Sequence, residues 1–108
     1  MHTSLICEVA RINNEYGLEI SLDHISHIYG ETVLDHLAEM LDDVTANIEF
    51  LLSLGFGDDV SDICNRFGII LCEDTFLFSK KVSALVDSIG SDFIAKMGED
   101  MSLWETIM

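Results

Sequence analysis

Glycine residues divide the apolar pattern of this 108-residue sequence into short segments. Gly17, Gly30, Gly55, Gly68 and Gly90 each follow a run in which apolar residues recur every three or four positions, as in an amphipathic helix. The sequence contains no proline, so we expect glycine to supply the helix ends. No segment shows the sustained alternation that is typical of strands. The pattern therefore predicts an all-α fold of about seven or eight helices.

The boundaries of these helices follow from glycine stops and from Ser, Thr or Asp at the starts. The first three predicted helices are a helix over 4–16, a short helix capped by Ser21 that closes at Gly30, and a long helix over 32–54 that has a possible break at Asp42-Asp43. A short helix capped by Asp58 that closes at Gly68, a helix from Asp74 or Thr75 to Gly90, and two closing helices capped by Ser91 and Ser102 follow. The run 69–72 is strand-like in composition but has no partner strand.

Two parts of the sequence have the same internal spacing. Gly17 and Gly30 stand 13 positions apart, as do Gly55 and Gly68, and each pair encloses a short capped helix that ends in an aromatic residue. A longer amphipathic helix follows each pair. This spacing predicts two stacked short-helix/long-helix repeats with terminal caps. The length suits one helical domain over residues 1–108.

The second of these units, residues 48–90, resembles one repeat of the mitochondrial transcription termination factor family. The resemblance lies in the phrases Ile48-Glu49-Phe50-Leu51-Leu52-Ser53-Leu54-Gly55-Phe56 and Asn65-Arg66-Phe67-Gly68. That family usually has proline where this chain has Gly68. Its members are basic proteins that bind nucleic acid, whereas this chain is strongly acidic, so the resemblance bears on the fold and not on the function.

Negative charge is concentrated in one half of the chain. The sequence has 20 acidic and 5 basic residues, a formal net charge of −15, and no Lys or Arg between Arg11 and Arg66. Affinity for nucleic acid or for anionic membranes is supplied by Lys and Arg, so both partners are disfavoured. An anionic field of this kind steers a basic protein instead. We therefore expect a basic protein partner.

Two acidic clusters are the candidate partner-binding site. The residues are Asp35, Glu39, Asp42 and Asp43 on the long helix, and Asp58, Asp59 and Asp62 at the start of the next short helix. Like charges at i, i+4 destabilise a helix, and no basic residue stands four positions away to compensate them. Solubility and, for the second cluster, the helix dipole are the alternative explanations. Tyr16, Tyr29 and Trp104 are candidate aromatic anchors beside these acids.

Residues suited to catalysis or metal binding are few. His24 and His27 share one short helix, but no third ligand stands at a diagnostic spacing, so no metal and no cofactor are predicted. Cys7, Cys64 and Cys72 lie in apolar segments, which favours buried, reduced thiols. The sequence has neither a phosphate-binding loop nor a nucleophile motif, and no signal peptide. We expect a cytoplasmic protein that is not an enzyme.

This profile is similar to that of the immunity proteins of bacterial toxin systems, including the partners of contact-dependent growth inhibition toxins and colicin-like nucleases. The resemblance implies an inhibitor that binds a basic toxin, such as a nuclease domain, and occludes its active site with an acidic surface. A phage- or element-encoded DNA mimic that blocks a defence or DNA-binding protein shares the same electrostatics. A regulatory helical adaptor with an apolar groove between its repeats is a third hypothesis.

Overall fold

The computed structural model describes residues 2–107, and within this range it contains seven α-helices, two 3₁₀ helices and no strand. The all-α prediction is therefore confirmed. The elements are α1 (Thr3–Tyr16), α2 (Leu22–Tyr29), α3 (Thr32–Glu39), α4 (Leu41–Ser53), α5 (Asp59–Phe67), a first 3₁₀ helix (Gly68–Cys72), α6 (Thr75–Ile89), α7 (Phe93–Glu99) and a second 3₁₀ helix (Met101–Ile107).

Several helix ends lie where local chemistry predicts them. Gly17 ends α1 in the left-handed region with φ 68°, which costs glycine no steric penalty. The Ser21 hydroxyl accepts the backbone N–H of His24 and so caps α2. The Asp74 carboxylate caps α6 by accepting the N–H groups of Phe76 and Leu77. These side chains satisfy backbone donors that a helix start would otherwise leave without a partner.

Other boundaries differ in position from the prediction. The helix predicted over 32–54, with a possible break at Asp42-Asp43, is broken two residues earlier, at Met40, where φ is −105° and ψ is 31° and α3 gives way to α4. Helix α5 ends at Phe67, just before Gly68, as predicted, but Gly68 has φ −52° and opens the first 3₁₀ helix, which occupies the run that is strand-like in composition. Asp58 makes no capping hydrogen bond, and Asp92 and Asp100, not Ser91 and Ser102, precede the two closing helices.

Helix α4 runs through the middle of the core. It packs against α1, α3, α5, α6 and the first 3₁₀ helix, and its Ile48 and Leu51 are fully buried. The second 3₁₀ helix contributes Trp104, which is 0% exposed and packs edge-on against Phe56 with ring centroids 5.4 Å apart. Burial of such side chains is the main favourable term in folding, and here it must offset the repulsion among the carboxylates.

The two predicted repeat units pack against each other but are not equivalent. The short helices α2 and α5 are in contact, and so are the longer helices α4 and α6. The two matching glycines differ, however, because Gly30 has a positive φ of 86° whereas Gly68 is buried under Ile25. A Cβ on Gly68 would stand 3.0 Å from Cγ2 of Ile25, so close approach of α2 explains that glycine.

Polar side chains of α4 hold the connection that leads into α6. The fully buried Asn47 donates from Nδ2 to the carbonyl oxygens of Leu71 (3.1 Å) and Glu73 (2.9 Å). One turn earlier, Asp43 Oδ1 accepts the N–H (3.2 Å) and the hydroxyl (2.8 Å) of Thr75. These bonds satisfy backbone groups between the 3₁₀ helix and α6, so the start of α6 is fixed by the sequence of α4.

Replacing Asn47 with alanine should destabilise the fold by about 3 kcal/mol, because two carbonyl groups at a buried position lose their donor. Urea unfolding followed by circular dichroism measures the change. Asn14→Ala, at an exposed position of α1, is the matched control and should change stability by less than about 0.5 kcal/mol. Equal effects of the two substitutions would contradict the role assigned to Asn47.

Candidate functional site

Helix α1 lies along α3 and α4 and runs in the same direction as they do. His2 Nε2, just before α1, is 3.2 Å from Asp35 Oδ1 on α3. Farther along, the Thr45 hydroxyl donates to Glu8, and the Tyr16 hydroxyl donates to Glu49 at 3.0 Å. Acidic residues of α1, α3 and α4 therefore share one side of the molecule, over the length of a 14-residue helix, about 21 Å.

Few carboxylates on the described chain are neutralised by its own basic residues. Arg11 binds Glu8 and Glu15, and Lys81 binds Glu73 at 3.0 Å. These are three of the 20 acidic residues, and none of the seven predicted partner-binding residues contacts a Lys or Arg within residues 2–107. The Arg11 guanidinium and the Thr45 hydroxyl hold the pKa of Glu8 below its usual range. Most of the remaining carboxylates are exposed and have no Lys or Arg partner in this range.

Three of the predicted residues, Asp35, Glu39 and Asp42, are exposed on α3 and α4 and are called the α3–α4 carboxylates below. The side chain of Asp35 is 63% exposed even though it contacts His2. Glu39 is the last residue of α3 and Asp42 lies in the first turn of α4. Because the helix breaks at Met40, these carboxylates do not lie on one continuous helix, as the sequence predicts, but on either side of a bend in the chain.

A second group of carboxylates lines a small surface groove where α1 ends. Gly17, Glu19, Asp58, Ser61 and Asp62 surround a volume of about 310 Å³, which we call the acidic groove. The Ser61 hydroxyl accepts the backbone N–H of Glu19 at 2.8 Å, and this bond holds the α1–α2 connection against α5. Asp58 is free to face the groove because it makes no capping bond.

Glu19 belongs to this groove although the sequence did not single it out. Its neighbours in the groove, Asp58 and Asp62, are about 40 positions away in the sequence, so no local spacing relates them. Two hydrogen bonds from α5 place Glu19 at the groove: Asn65 Nδ2 donates to the Glu19 carbonyl oxygen, and the Ser61 hydroxyl accepts the Glu19 N–H. These contacts are visible only in the folded chain.

Two of the predicted acids serve the fold. Asp43 is partly buried and binds Thr75, as described above. Asp59 is also partly buried, and its Oδ2 lies 2.9 Å from the position that a Cβ on Gly98 would occupy, so it packs against α7. Neither side chain is available as an exposed carboxylate. The structure therefore leaves Asp35, Glu39, Asp42, Asp58 and Asp62, with Glu19, as the accessible acidic set.

The predicted aromatic anchors have different environments. Trp104 is fully buried in the core, so its prediction as a surface anchor is wrong. Tyr29 is partly buried and donates its hydroxyl to the Arg66 carbonyl oxygen at 2.6 Å. Tyr16 is 38% exposed, and its bond to Glu49 raises the pKa of the phenol. Along α1, the contact of Tyr16 with α4 comes after the contact of His2 with Asp35 and just before Gly17, which borders the acidic groove.

Cysteine and histidine side chains are dispersed. Within residues 2–107 no group of three or more His, Cys, Asp or Glu residues is placed to hold a metal ion. Cys64 is fully buried, which raises the pKa of its thiol to about 12, and partial burial raises that of Cys72 to about 11. Such thiols are protonated at neutral pH and react slowly. Cys7 is exposed, contrary to the prediction that all three cysteines are buried.

In the native protein at pH 7.5, iodoacetamide should modify Cys7 alone, because the thiolate is the reacting form and Cys64 and Cys72 are shielded and have raised pKa values. Mass spectrometry of timed samples measures the sites. In urea all three cysteines should react at similar rates. Fast modification of Cys64 in the native protein would contradict its burial.

Replacing Asp42 and replacing Asp43 should have different effects on the stability of the protein, although the two residues are neighbours in the first turn of α4. Asp43→Ala removes the acceptor for two donors of Thr75 and should lower the free energy of unfolding by about 1 kcal/mol. Asp42→Ala is the matched control, since it removes the same charge from the same turn, and should stay within about 0.5 kcal/mol. Thermal or urea unfolding tests the difference, and equal losses would contradict it.

None of the helices in residues 2–107 is both long and apolar enough to cross a membrane. Comparisons of the chain with models of known families, with curated proteins and with solved structures give no match. The function must therefore be argued from the surface of the molecule itself.

Proposed function

We propose that this protein is an immunity or inhibitor protein that binds a basic toxin, a nuclease domain above all, and occludes its active site. The observation that carries the proposal is that five exposed carboxylates at the α3–α4 junction and in the acidic groove have no basic partner in residues 2–107: Glu19, Glu39, Asp42, Asp58 and Asp62. A nuclease cleft holds Lys, Arg and His side chains arranged for phosphates, and carboxylates can occupy the same positions.

The arrangement of these carboxylates suits two kinds of contact. The α3–α4 carboxylates are exposed near the ends of α3 and α4, where they would steer a cationic surface and raise the association rate. The acidic groove is concave, and a Lys or Arg side chain that enters it would meet Glu19, Asp58 and Asp62 together. Partial desolvation inside a groove strengthens each ion pair relative to a fully exposed one. We assign steering to the first group and anchoring to the second.

Tyr16 supplies a neighbouring aromatic contact in this proposal. It is exposed, its hydroxyl is already bound to Glu49, and the next residue, Gly17, borders the acidic groove. Tyrosine is enriched among the residues that dominate binding energy, because it offers a large rigid surface with one polar end. The proposed activity is binding without catalysis, in the cytoplasm, with no cofactor and no direct nucleic acid contact.

Charge reversal tests the two carboxylate groups separately. We expect Glu39→Lys with Asp42→Lys to slow association with the basic partner, and Asp58→Lys with Asp62→Lys to accelerate dissociation. Each pair should weaken binding by about 100-fold at physiological salt, the range of an interfacial ion pair that is lost and replaced by repulsion. Asp92→Lys with Glu99→Lys changes the net charge equally on exposed sites at the ends of α7 and is the matched control.

The partner for this test is obtained by capture on the immobilised chain from the native host and elution in high salt. The eluted protein should be basic and should hydrolyse a fluorescent nucleic acid substrate, and one equivalent of the chain should abolish that activity. Full hydrolysis in the complex would contradict occlusion. A captured DNA-binding or defence protein without nuclease activity would favour the DNA-mimic alternative, and binding unaffected by salt would favour the helical adaptor.

A further inference from the structure

The outer face of α6 carries apolar side chains and lysines on an otherwise acidic molecule. Phe76 is 64% exposed and Leu77 is 48% exposed, and Phe76 is the most exposed large apolar residue of the described chain. Lys80 and Lys81, two of the chain's five basic residues, lie on the next turn. An exposed aromatic residue beside a lysine on a helix surface is typical of a binding face rather than of a purely solvated one.

One stripe of α6 contains the elements of a contact. At 100° per residue, Phe76, Lys80, Ser83, Ala84 and Asp87 fall within about 100° of helix surface. All five residues are exposed, and the buried Phe78 and Val82 point to the opposite side. The Lys80 ammonium stands 4.5 Å from the centre of the Phe76 ring and has no carboxylate within 4.0 Å in residues 2–107. Asp87 makes no ion pair in that range either.

We propose that this stripe, here called the α6 stripe, binds a second copy of the same chain through a two-fold axis. Lys80 and Asp87 lie at equal distances on either side of the point between Ser83 and Ala84. When two α6 helices pack antiparallel about that point, Lys80 of each copy stands opposite Asp87 of the other. Within one helix the two charges are about 10.5 Å apart along the axis and cannot pair.

The small side chains and the apolar residues fit the same arrangement. Ser83 and Ala84 at the crossing point let two helices approach to the short end of the usual 8–10 Å separation. Phe76 of each copy then extends over the C-terminal end of the second α6, where a Cβ on Gly90 would have no neighbour within 4 Å. The contact therefore covers the exposed Phe76 ring at both ends of the stripe and buries small side chains at its centre.

Charge complementarity favours a second copy over an unrelated acidic partner. An acidic helix would be attracted by Lys80 but repelled by Asp87, whereas a second α6 satisfies both charges at once. Residues 75–89 contain Lys80, Lys81 and Asp87 as their charged side chains, and Lys81 is bound to Glu73, so Lys80 and Asp87 are the charges of α6 that are left for a partner. The stripe is therefore nearly neutral on a chain of net charge −15, which lets two copies approach each other at this face.

The α6 stripe is separate from the surface proposed to bind the basic partner. Two residues of α4 face α6: Asp43 binds Thr75, and the Phe50 ring packs against Phe78 with ring centroids 6.3 Å apart. Two others, Thr45 and Glu49, face α1. At 100° per residue these two sets lie roughly 130° apart around α4. A dimer through α6 leaves the α3–α4 carboxylates accessible, so the two proposals can fail independently.

The oligomeric state of the full chain tests this proposal. Light scattering after gel filtration, and sedimentation over a range of concentrations, should show the 12.1 kDa chain doubling in mass. Ala84→Arg places a long cationic side chain at the crossing point and should abolish the dimer, whereas Ala95→Arg, at an exposed position of α7, should not. A mass of 12.1 kDa at all concentrations up to about 1 mM would overturn the proposal.

A charge swap tests the two-fold geometry. Lys80→Asp alone and Asp87→Lys alone should each weaken the dimer by about tenfold or more, because each creates two like-charge contacts. The double variant K80D/D87K should recover the affinity to within about threefold, since it exchanges the charges across the axis. Failure of the double variant to recover would overturn the antiparallel arrangement. Added salt should strengthen the dimer by screening the repulsion of two acidic chains, opposite to its effect on a basic partner.

Discussion

The polar contacts that Asp43 and Asn47 make from α4 determine where the second half of the chain lies. They bind the connection over residues 71–75, which has backbone groups that neither the 3₁₀ helix nor α6 satisfies, and so they position α6 against the core. The opposite side of α4 receives α1 through Thr45 and Glu49. One 13-residue helix thus places both candidate binding surfaces and keeps them apart.

The acidic residues of this molecule perform two different tasks. Asp43 and Asp74 accept hydrogen bonds that stabilise the fold, by binding Thr75 and by capping α6, and the partly buried Asp59 lies against α7. Most of the exposed carboxylates make no such contact and repel one another, so they lower stability. Net charge alone cannot separate these tasks; burial and hydrogen bonding can.

The helix type and the locally determined ends were predictable from sequence, whereas long-range contacts were not. Gly17, Ser21 and Asp74 act on their own neighbours, so their roles follow from residue type and spacing. Gly68 resembles a helix stop in sequence, but its small size accommodates Ile25 of another helix. The same limit explains why sequence reasoning assigned Asp43 and Asp59 to the binding site and left out Glu19. The residues that each of them contacts in the fold lie more than 30 positions away in the sequence.

Short connections join helices that pack on their neighbours along the chain, as α2 does on α3 and α3 on α4. Small helical proteins of this kind fold in microseconds to milliseconds. The sequence has no proline, so refolding lacks the isomerisation step of tens of seconds that often slows other chains. A newly made copy would therefore reach its native form almost as soon as it leaves the ribosome. Under the proposed function, this would shorten the interval during which a cell is exposed to a toxin without its inhibitor.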